Sequence, residues 1–525
     1  MKICIAQLRP SVGDPDCNLK KIERAVQEAS EKGAQLVVFP EMFLTGYPPK
    51  DLLLQNWFAE RVEQAAAALA ALSAKHPELG ILCGLPTSAP GGKWHNSAVL
   101  MQGGEMRALQ HKTALDDSVF DEHRYFVPGE GGATASFEGE TLTIAIGEDS
   151  LASLAGQSAA LGIVIAASPF HLGKPQARIS SLQKAAKECG FPLVFVNQAG
   201  GQDELIFDGA SIFCDSQGRV TVLPVFAEAT LVIDTDAPAP ASTELPASDA
   251  AWLYGALKQG LHDYLAACGQ ARVILGLSGG IDSAVVCALA ADVLGPENVR
   301  GVIMPGPFSS PGSVTDAEAL AANLGIKTHV VPITDLYEAY LGALKDILTD
   351  RDPDVTEENI QARIRGSILM AFANRFGGMV LATSNKSESA VGYATMYGDM
   401  VGGMAPLADV YKTQVYALAE YINGRREIIP QSTIMKPPSA ELRPGQKDED
   451  SLPPYKILDP IIAAYVEEGR SAADIVSLGY AQETVDWVIK NVNRMEFKRR
   501  QAAPCIRVTK AAFGAGRRMP IAAKY

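Results

Sequence analysis

The stretch RVILGLSGGIDSAVVCALAADVLG, residues 272–295, has the pattern of a buried strand, a glycine-rich turn and a helix. Its turn, Ser278 to Ser283, offers consecutive backbone N–H groups at a helix N-terminus, where the helix dipole favours an anion. It lacks the ending of a Walker A loop and is not G-x-G-x-x-G, which weakens a dinucleotide-binding interpretation. Two hydroxyls and Asp282 suit a pyrophosphate with Mg²⁺. The alternative is a capped helix start, with Asp282 an ordinary first-turn acid.

Three further apolar segments follow this motif: VRGVIMP, THVVPI and MVLATS. Each reads as a strand, and helical segments long enough for crossover connections separate them. This alternation predicts a doubly wound parallel sheet. A polar, proline-rich segment after it, residues 431–455, predicts a mobile loop, or a lid if it contacts a ligand.

The first 235 residues instead alternate many short apolar runs with two amphipathic helical patterns, which predicts a layered α/β domain. The stretch DTDAPAPASTELPASDA, residues 234–250, has no hydrophobic period and is the best linker candidate. The predicted organisation is therefore a domain over 1–236, a linker over 237–250 and a second domain over 251–525.

Net charge, apolar runs and cysteine distribution restrict the kinds of partner and the cellular compartment that the protein can have. A net charge of −14 over 525 residues argues against broad binding to nucleic acid or a membrane surface. No apolar run is long enough to span a bilayer, and the N-terminus lacks a signal-peptide pattern. The eight cysteines are scattered, which is typical of a reducing cytosol and implies neither disulfides nor zinc. We expect a cytoplasmic protein.

The S-G-G-x-D-S turn resembles the loop of ATP pyrophosphatases, enzymes that cleave ATP between its α and β phosphates. The segments at 358–421 and 437–455, with FKRRQAAP and FGAGRRMPIA near the C-terminus, resemble glutamine-dependent NAD⁺ synthetases. This resemblance implies that the carboxylate of deamido-NAD⁺ attacks the α-phosphorus of ATP. Pyrophosphate leaves, and ammonia then displaces AMP. The protein must hold two nucleotides in place and neutralise their charge.

The resemblance also implies roles for individual residues. ATP and pyrophosphate would be bound by Ser278, Gly279, Gly280, Asp282, Ser283 and Thr383. Asp282 and Glu388 would bind Mg²⁺, and Lys412, Ser439 and Asp282 would act in catalysis. Deamido-NAD⁺ would be bound by Asn359, Arg363, Glu388, Asp399 and Lys498.

The N-terminal segments VVFPEMFLTGYPP and SPFHLGKPQAR resemble the nitrilase, or carbon–nitrogen hydrolase, fold. VFDEHRYFVPG and GGQDELIFDGAS resemble the version of it that is fused to NAD⁺ synthetases. The implied fold class is α/β, an α-β-β-α nitrilase-like sandwich followed by the doubly wound sheet of the ATP pyrophosphatases. Such a sandwich releases ammonia from glutamine with a Glu base, a Lys and a Cys nucleophile.

Glu41 and Lys112 occupy the Glu and Lys positions, but Gly147 stands where the cysteine is expected. Ser150 and Ser153 lie just beyond and have no evident base. We therefore predict a domain that cannot hydrolyse glutamine, although Ser168 and Lys174 remain where the family contacts glutamine. Ammonia would then come from solution or from another protein's glutaminase.

Three alternatives remain open. Glutamine hydrolysis could persist through another nucleophile. The chain could be another ATP pyrophosphatase, such as a tRNA-modifying or guanylate-forming ligase, although it shows no basic stripe for tRNA. It could also be a non-catalytic nucleotide-binding scaffold. The resemblance further implies a homo-oligomer built on a synthetase dimer.

Overall fold

A computed structural model describes residues 1–131, 133–237, 240–348, 352–514 and 516–523. The chain forms two compact units, Met1–Pro246 and Ala247–Tyr525. Among the described residues, no helix combines the length and apolar character needed to cross a membrane.

The first unit contains two six-stranded sheets and a hairpin. Its strands are β1 (Lys2–Gln7), β2 (Leu36–Val38), β3 (Gly80–Ser88), β4 (Trp94–Gln102), β5 (Glu105–His111), β6 (Ala133–Phe137), β7 (Glu140–Ile146), β8 (Leu161–Ala166), β9 (Leu193–Asn197), β10 (Ala199–Gln202), β11 (Leu205–Asp208), β12 (Ile212–Cys214), β13 (Val220–Val222) and β14 (Ala229–Asp234). The sheet orders are β14-β1-β2-β3-β4-β5 and β13-β12-β9-β8-β7-β6, and β10 pairs with β11. Its α-helices are α1 (Pro15–Glu31), α2 (Asn56–Lys75), α3 (Glu122–Tyr125) and α4 (Lys174–Cys189), and its 3₁₀ turns are Lys50–Leu54, Pro90–Gly92 and Glu148–Leu154.

The two sheets face each other across an apolar core. Ile5 of β1 and Leu82 of β3 pack in the same cluster as Ile144 of β7 and Ile163 of β8. On the outer faces, α1 and α2 cover the first sheet and α4 covers the second. Central strands buried on both faces explain why their sequences are continuous apolar runs rather than alternating ones. The unit is the expected α-β-β-α sandwich.

The second unit is built on a parallel sheet of order β17-β16-β15-β18. Its strands are β15 (Val273–Gly276), β16 (Val299–Ile303), β17 (Lys327–Val330) and β18 (Met379–Val380). Its helices are α5 (Asp249–Ala267), α6 (Ile281–Leu294), α7 (Pro311–Leu324), α8 (Thr334–Ala343), α9 (Lys345–Leu348), α10 (Val355–Phe376), α11 (Lys386–Val391), α12 (Lys412–Ile422), α13 (Gln431–Met435), α14 (Tyr455–Val466), α15 (Ala472–Ser477), α16 (Gln482–Arg494) and α17 (Glu496–Arg499), with 3₁₀ turns at Pro296–Asn298 and Asp448–Asp450. The order reverses between β15 and β18, which makes the sheet doubly wound, as expected.

The predicted linker, residues 237–250, has three parts. Residues 238 and 239 lie outside the described residues. Residues 240–246 belong to the first unit, because Thr243 N–H donates to Val222 O at 2.9 Å and Leu245 packs on the outer core beneath α4. Helix α5 then begins at Asp249, with Ser248 as its cap. The first unit thus extends to Pro246, beyond the predicted boundary at 236. A composition rich in Pro, Ala and Ser did not reveal these backbone pairings.

Candidate active sites

The glycine-rich turn joins β15 to the first turn of α6. Gly279 has φ +75°, and a Cβ there would collide with the backbone of Ser313. The Ser283 hydroxyl donates to Gly280 O at 2.9 Å, and Gly280 N–H donates to Ser278 Oγ at 3.2 Å. Ser278, Gly280 and Asp282 line a cavity of about 420 Å³, whereas Gly279 and Ser283 shape the turn without lining it.

A lysine joins the two carboxylates that the sequence assigned to a metal. Lys412 Nζ donates to Asp282 Oδ2 at 2.5 Å and to Glu388 Oε1 at 3.1 Å. Asn385 holds the other oxygen of Asp282 at 2.9 Å and caps α11 by accepting from Glu388 N–H. Lys412 is almost fully buried at the start of α12. Segments far apart in sequence therefore converge where the strands end.

Burial is the largest single influence on the pKa values of Glu388 and Lys412. It raises the pKa of Glu388 to about 8; Lys412 opposes that rise, and Asp282 and Asp448 add to it. Burial lowers the pKa of Lys412, but Asp282 and Glu388 outweigh it and hold the net pKa above its ordinary value. The described residues contain no group of three or more His, Cys, Asp or Glu side chains that could hold a metal by themselves. The carboxylates of Asp282 and Glu388 are oxygen ligands of the kind that Mg²⁺ prefers. The rest of its coordination shell would have to come from phosphate oxygens of a bound nucleotide.

Most of the remaining predicted residues line the same cavity: Asn359, Thr383, Asp399, Ser439 and Lys498. Asn359 Oδ1 accepts from Thr395 Oγ1 at 2.7 Å, and Asp399 Oδ1 accepts from Thr395 N–H at 2.8 Å. Arg363 differs, because its exposed side chain donates to Met396 O at 3.3 Å and does not line the cavity.

The segment between α13 and α14, which the sequence marked as a loop or lid, forms one wall of the cavity. Ser439 Oγ donates to Gln446 O at 2.6 Å. Glu441, with φ +49°, accepts from Ser310 N–H, Ser310 Oγ and Ser313 Oγ at the start of α7. Sequence reasoning missed Glu441 and Asp448 as cavity residues, because nothing in their local pattern distinguishes them from other acidic residues in a polar segment.

A second, smaller cavity of about 140 Å³ lies at the ends of strands in the first unit and contains the predicted glutaminase remnants. Lys112 Nζ donates to Glu41 Oε1 and to Glu122 Oε1, both at 2.9 Å. Glu41 also accepts from Asn96 Nδ2 at 2.6 Å and from Ala167 N–H at 2.9 Å. The base and the lysine of the expected machinery are therefore held in a buried, hydrogen-bonded network. Glu122, a missed member of that network, lies in the VFDEHRYFVPG motif.

Gly147 lies at the end of β7, beside this network. Its backbone has φ +87° and ψ 150°, and its N–H donates to Ile165 O at 2.9 Å. A Cβ built on Gly147 would lie 3.2 Å from Lys112 Cε and 3.6 Å from Lys112 Nζ. A side chain at this position would thus meet the buried Lys112 cation.

Nearby hydroxyls are already engaged as hydrogen-bond donors. Ser150 Oγ donates to Gly147 O at 2.6 Å and Ser153 Oγ to Ser150 O at 2.6 Å. Ser168, which lines the cavity, donates to Glu148 Oε2 at 2.6 Å. Lys174 lies 3.8 Å from the same carboxylate.

All eight cysteines are free thiols, and none lines either cavity. Burial raises the pKa of Cys4 to about 12 and that of Cys214, with help from Asp215, to about 11. Thiols held protonated in this way are poor nucleophiles.

Comparison with known proteins matches both units. A family model described as NAD synthase matches residues 253–502, and one described as carbon-nitrogen hydrolase matches residues 2–241.

Several relatives that match this chain over its whole length are glutamine-dependent NAD(+) synthetases. A glutamine-dependent NAD(+) synthetase from Synechocystis sp. is 43% identical over 553 residues, covering 100% of this chain and 99% of the relative. One from Thermotoga maritima is 39% identical over 573 residues, with the same two coverages. The solved glutamine-dependent NAD⁺ synthetase from Acinetobacter baumannii, in complex with adenosine diphosphate, is 36% identical with a TM-score of 0.78, covering 99% of this chain and 98% of that one.

Proposed function

The chain belongs to the glutamine-dependent NAD(+) synthetase family, and we propose that it amidates deamido-NAD⁺ with free ammonia instead of glutamine. The family's reaction is a ligation that uses ATP. The proposal concerns the nitrogen donor and the roles of individual residues.

One observation carries the choice of ammonia: Gly147 has no side chain at the strand end beside Lys112 and Glu41. A thioester with glutamine requires a sulfur at that point, and no cysteine lines the cavity. Removal of a catalytic nucleophile costs on the order of 10⁶-fold in turnover in a well-studied serine protease. Ammonia would reach the second unit from solution or from a separate glutaminase.

In the synthetase reaction, the Ser278–Ser283 turn would hold the phosphates of ATP with its backbone N–H groups and the α6 dipole. Asp282 and Glu388 would hold Mg²⁺, which supplies charge neutralisation at the phosphates when it is bound. Lys412 Nζ lies 2.5 Å from Asp282 Oδ2 and 3.1 Å from Glu388 Oε1. From there it would bind the departing pyrophosphate. Thr383 and Ser439 would position ATP near its α-phosphorus.

Deamido-NAD⁺ would contact the part of the cavity wall that Asn359, Asp399 and Lys498 line. Its carboxylate attacks the α-phosphorus, and pyrophosphate leaves. Ammonia then adds to the resulting acyl adenylate and expels AMP. Arg363 stays a prediction, and so do the cytoplasmic location and the synthetase dimer.

Steady-state NAD⁺ formation tests the proposal. The purified protein receives ATP, Mg²⁺ and deamido-NAD⁺, with either ammonium or glutamine as the nitrogen source. We expect turnover with ammonium and none above background with glutamine. Comparable rates with the two donors would refute the choice of donor, whereas failure with both would refute the synthetase assignment.

The second candidate is residual glutamine hydrolysis through a serine. Ser150 is the nearest hydroxyl along the chain, but its proton is donated to Gly147 O and no histidine or carboxylate accepts from it among the described residues. If the native protein hydrolyses glutamine, a Ser150→Ala variant with unchanged glutamine turnover would remove Ser150 as the nucleophile.

A further inference from the structure

Four cationic side chains line the larger cavity among the described residues: Arg365, Lys412, Lys436 and Lys498. Three of them are already engaged. Lys412 pairs with Asp282 and Glu388, and Lys436 lies 3.1 Å from Asp316 Oδ2. Lys498 Nζ donates to the carbonyls of Gly392 and Ala394, both at 2.9 Å. The fourth cation, Arg365, is different.

Arg365 projects from α10 toward the end of β16. Its Nε donates to Met304 O at 3.1 Å, which fixes the plane of the guanidinium. Within the described part of the chain, no carboxylate lies within 4.0 Å of this group, and no acceptor bonds its two terminal nitrogens. Those nitrogens carry four N–H donors, and the residue lines the cavity. The guanidinium is therefore held by Nε, with the four N–H donors of its terminal nitrogens unused.

The surroundings leave the charge of the partly buried Arg365 only partly compensated. Burial lowers the pKa of Arg365 to about 10, while Glu441 and Asp399 raise it, so the group is still charged at neutral pH. Those two carboxylates lie beyond ion-pair distance, so the cavity offers room for an anion to pair directly with the guanidinium. The flat fork of a guanidinium matches two oxygens of a phosphate, which a lysine cannot do.

We infer that Arg365 binds a phosphate of a bound nucleotide through its two terminal nitrogens and thereby positions that nucleotide for adenylyl transfer. Two sources of this phosphate are present in the reaction, ATP and deamido-NAD⁺. The inference rests on the synthetase reaction and is independent of the nitrogen donor. It assigns nucleotide binding to Arg365, two positions beyond the exposed Arg363.

The test is steady-state kinetics of Arg365→Gln, with ammonium as the donor throughout. KM is measured for ATP and for deamido-NAD⁺ separately. Loss of two hydrogen bonds to a charged group should raise one of the two KM values about tenfold to a hundredfold. The other should change by less than about threefold. The KM that rises identifies the phosphate.

Arg375→Gln is the matched control, because Arg375 is an exposed arginine on the same helix and does not line the cavity. It should leave both KM values unchanged. If Arg365→Gln behaves like this control, or raises both KM values equally with a lower melting temperature, Arg365 serves only to join α10 to β16 and the inference is wrong.

Arg365→Lys keeps the positive charge. It provides a second test in case the Arg365→Gln variant does not fold. Its Kd for ATP with Mg²⁺ and for deamido-NAD⁺ is measured one ligand at a time by calorimetry, which needs no turnover. An intermediate weakening for one ligand supports the inference, since a point charge replaces a bidentate fork. Unchanged Kd values for both ligands overturn it. Glutamine use by the native protein would contradict the proposed function but would leave these values unaffected.

Discussion

Replacing Gly147 by cysteine should restore glutamine hydrolysis if the nucleophile is the one missing element of the smaller site. The new Cβ lies 3.2 Å from Lys112 Cε, so the end of that flexible side chain must give way by a few tenths of an ångström. The sulfur then stands beside a lysine that Glu41 and Glu122 keep charged, since their effect on its pKa outweighs burial. A neighbouring cation favours the thiolate.

Two magnitudes follow from this geometry. A residue other than glycine at φ +87° costs about 1–3 kcal/mol of stability, which is a drop of roughly 2–12 °C in melting temperature for a unit of this size. Gly147→Ala carries the same backbone cost without the sulfur and is the matched control. We expect Gly147→Cys to release ammonia from glutamine at least about a thousandfold faster than Gly147→Ala, a fraction of the roughly 10⁶-fold that a nucleophile can supply.

The assay is ammonia release from glutamine with neither ATP nor deamido-NAD⁺ present. Trapping of a thioester by mass spectrometry identifies the sulfur as the nucleophile. The reasoning is refuted if the cysteine variant is folded but no faster than the alanine variant. It is equally refuted if the native protein already hydrolyses glutamine at the rate of the cysteine variant.

Three further results are expected. Asp282→Asn should lower kcat for NAD⁺ formation by about 10²-fold or more, because it removes a carboxylate from the Lys412 cluster; unchanged kcat would remove Asp282 from the chemistry. Lys386→Met should lower the free energy of unfolding by about 3–5 kcal/mol in denaturant titrations, since it removes the cation beside the buried Asp409 and leaves that charge only its hydrogen bonds from Val508 and Thr509; a loss under 1 kcal/mol would contradict this. For Glu148, burial is outweighed by cationic neighbours that lower its pKa, so it stabilises the fold above about pH 4.5 and loses that effect as pH falls. The stability gap between native protein and Glu148→Gln should therefore narrow in acid, and a gap that widens would show the opposite sign.

The sequence predicted the parts of the fold that local pattern determines. The helices at Pro15–Glu31 and Lys174–Cys189 carry clear 3.6-residue periodicity, and the second ends at Gly190 in the left-handed region. The short hairpin of β10 and β11 and the edge strand β6 were not predicted, because their brief segments have no distinctive period. Helix α2 was not predicted either, because its many alanines weaken the contrast between its polar and apolar faces.

The site was harder to predict where tertiary contacts decide it. Along α10, cavity residues recur at Val355, Asn359, Ala362 and Leu369, which defines one helix face. Arg363 and Arg365 lie on opposite sides of that face, at about the same distance from its centre, so helical periodicity did not distinguish them. Glu441 had no such signal, since its contacts with α7 join segments over 100 residues apart.

The origin of the amide nitrogen in the product decides the central claim most directly. Native protein is incubated with ATP, Mg²⁺, deamido-NAD⁺, unlabelled ammonium and glutamine carrying ¹⁵N in its amide, and the NAD⁺ is analysed by mass spectrometry. We expect NAD⁺ that contains no label above natural abundance. Substantial ¹⁵N in the carboxamide would mean that the smaller cavity still delivers nitrogen from glutamine, in contradiction to the account given for Gly147.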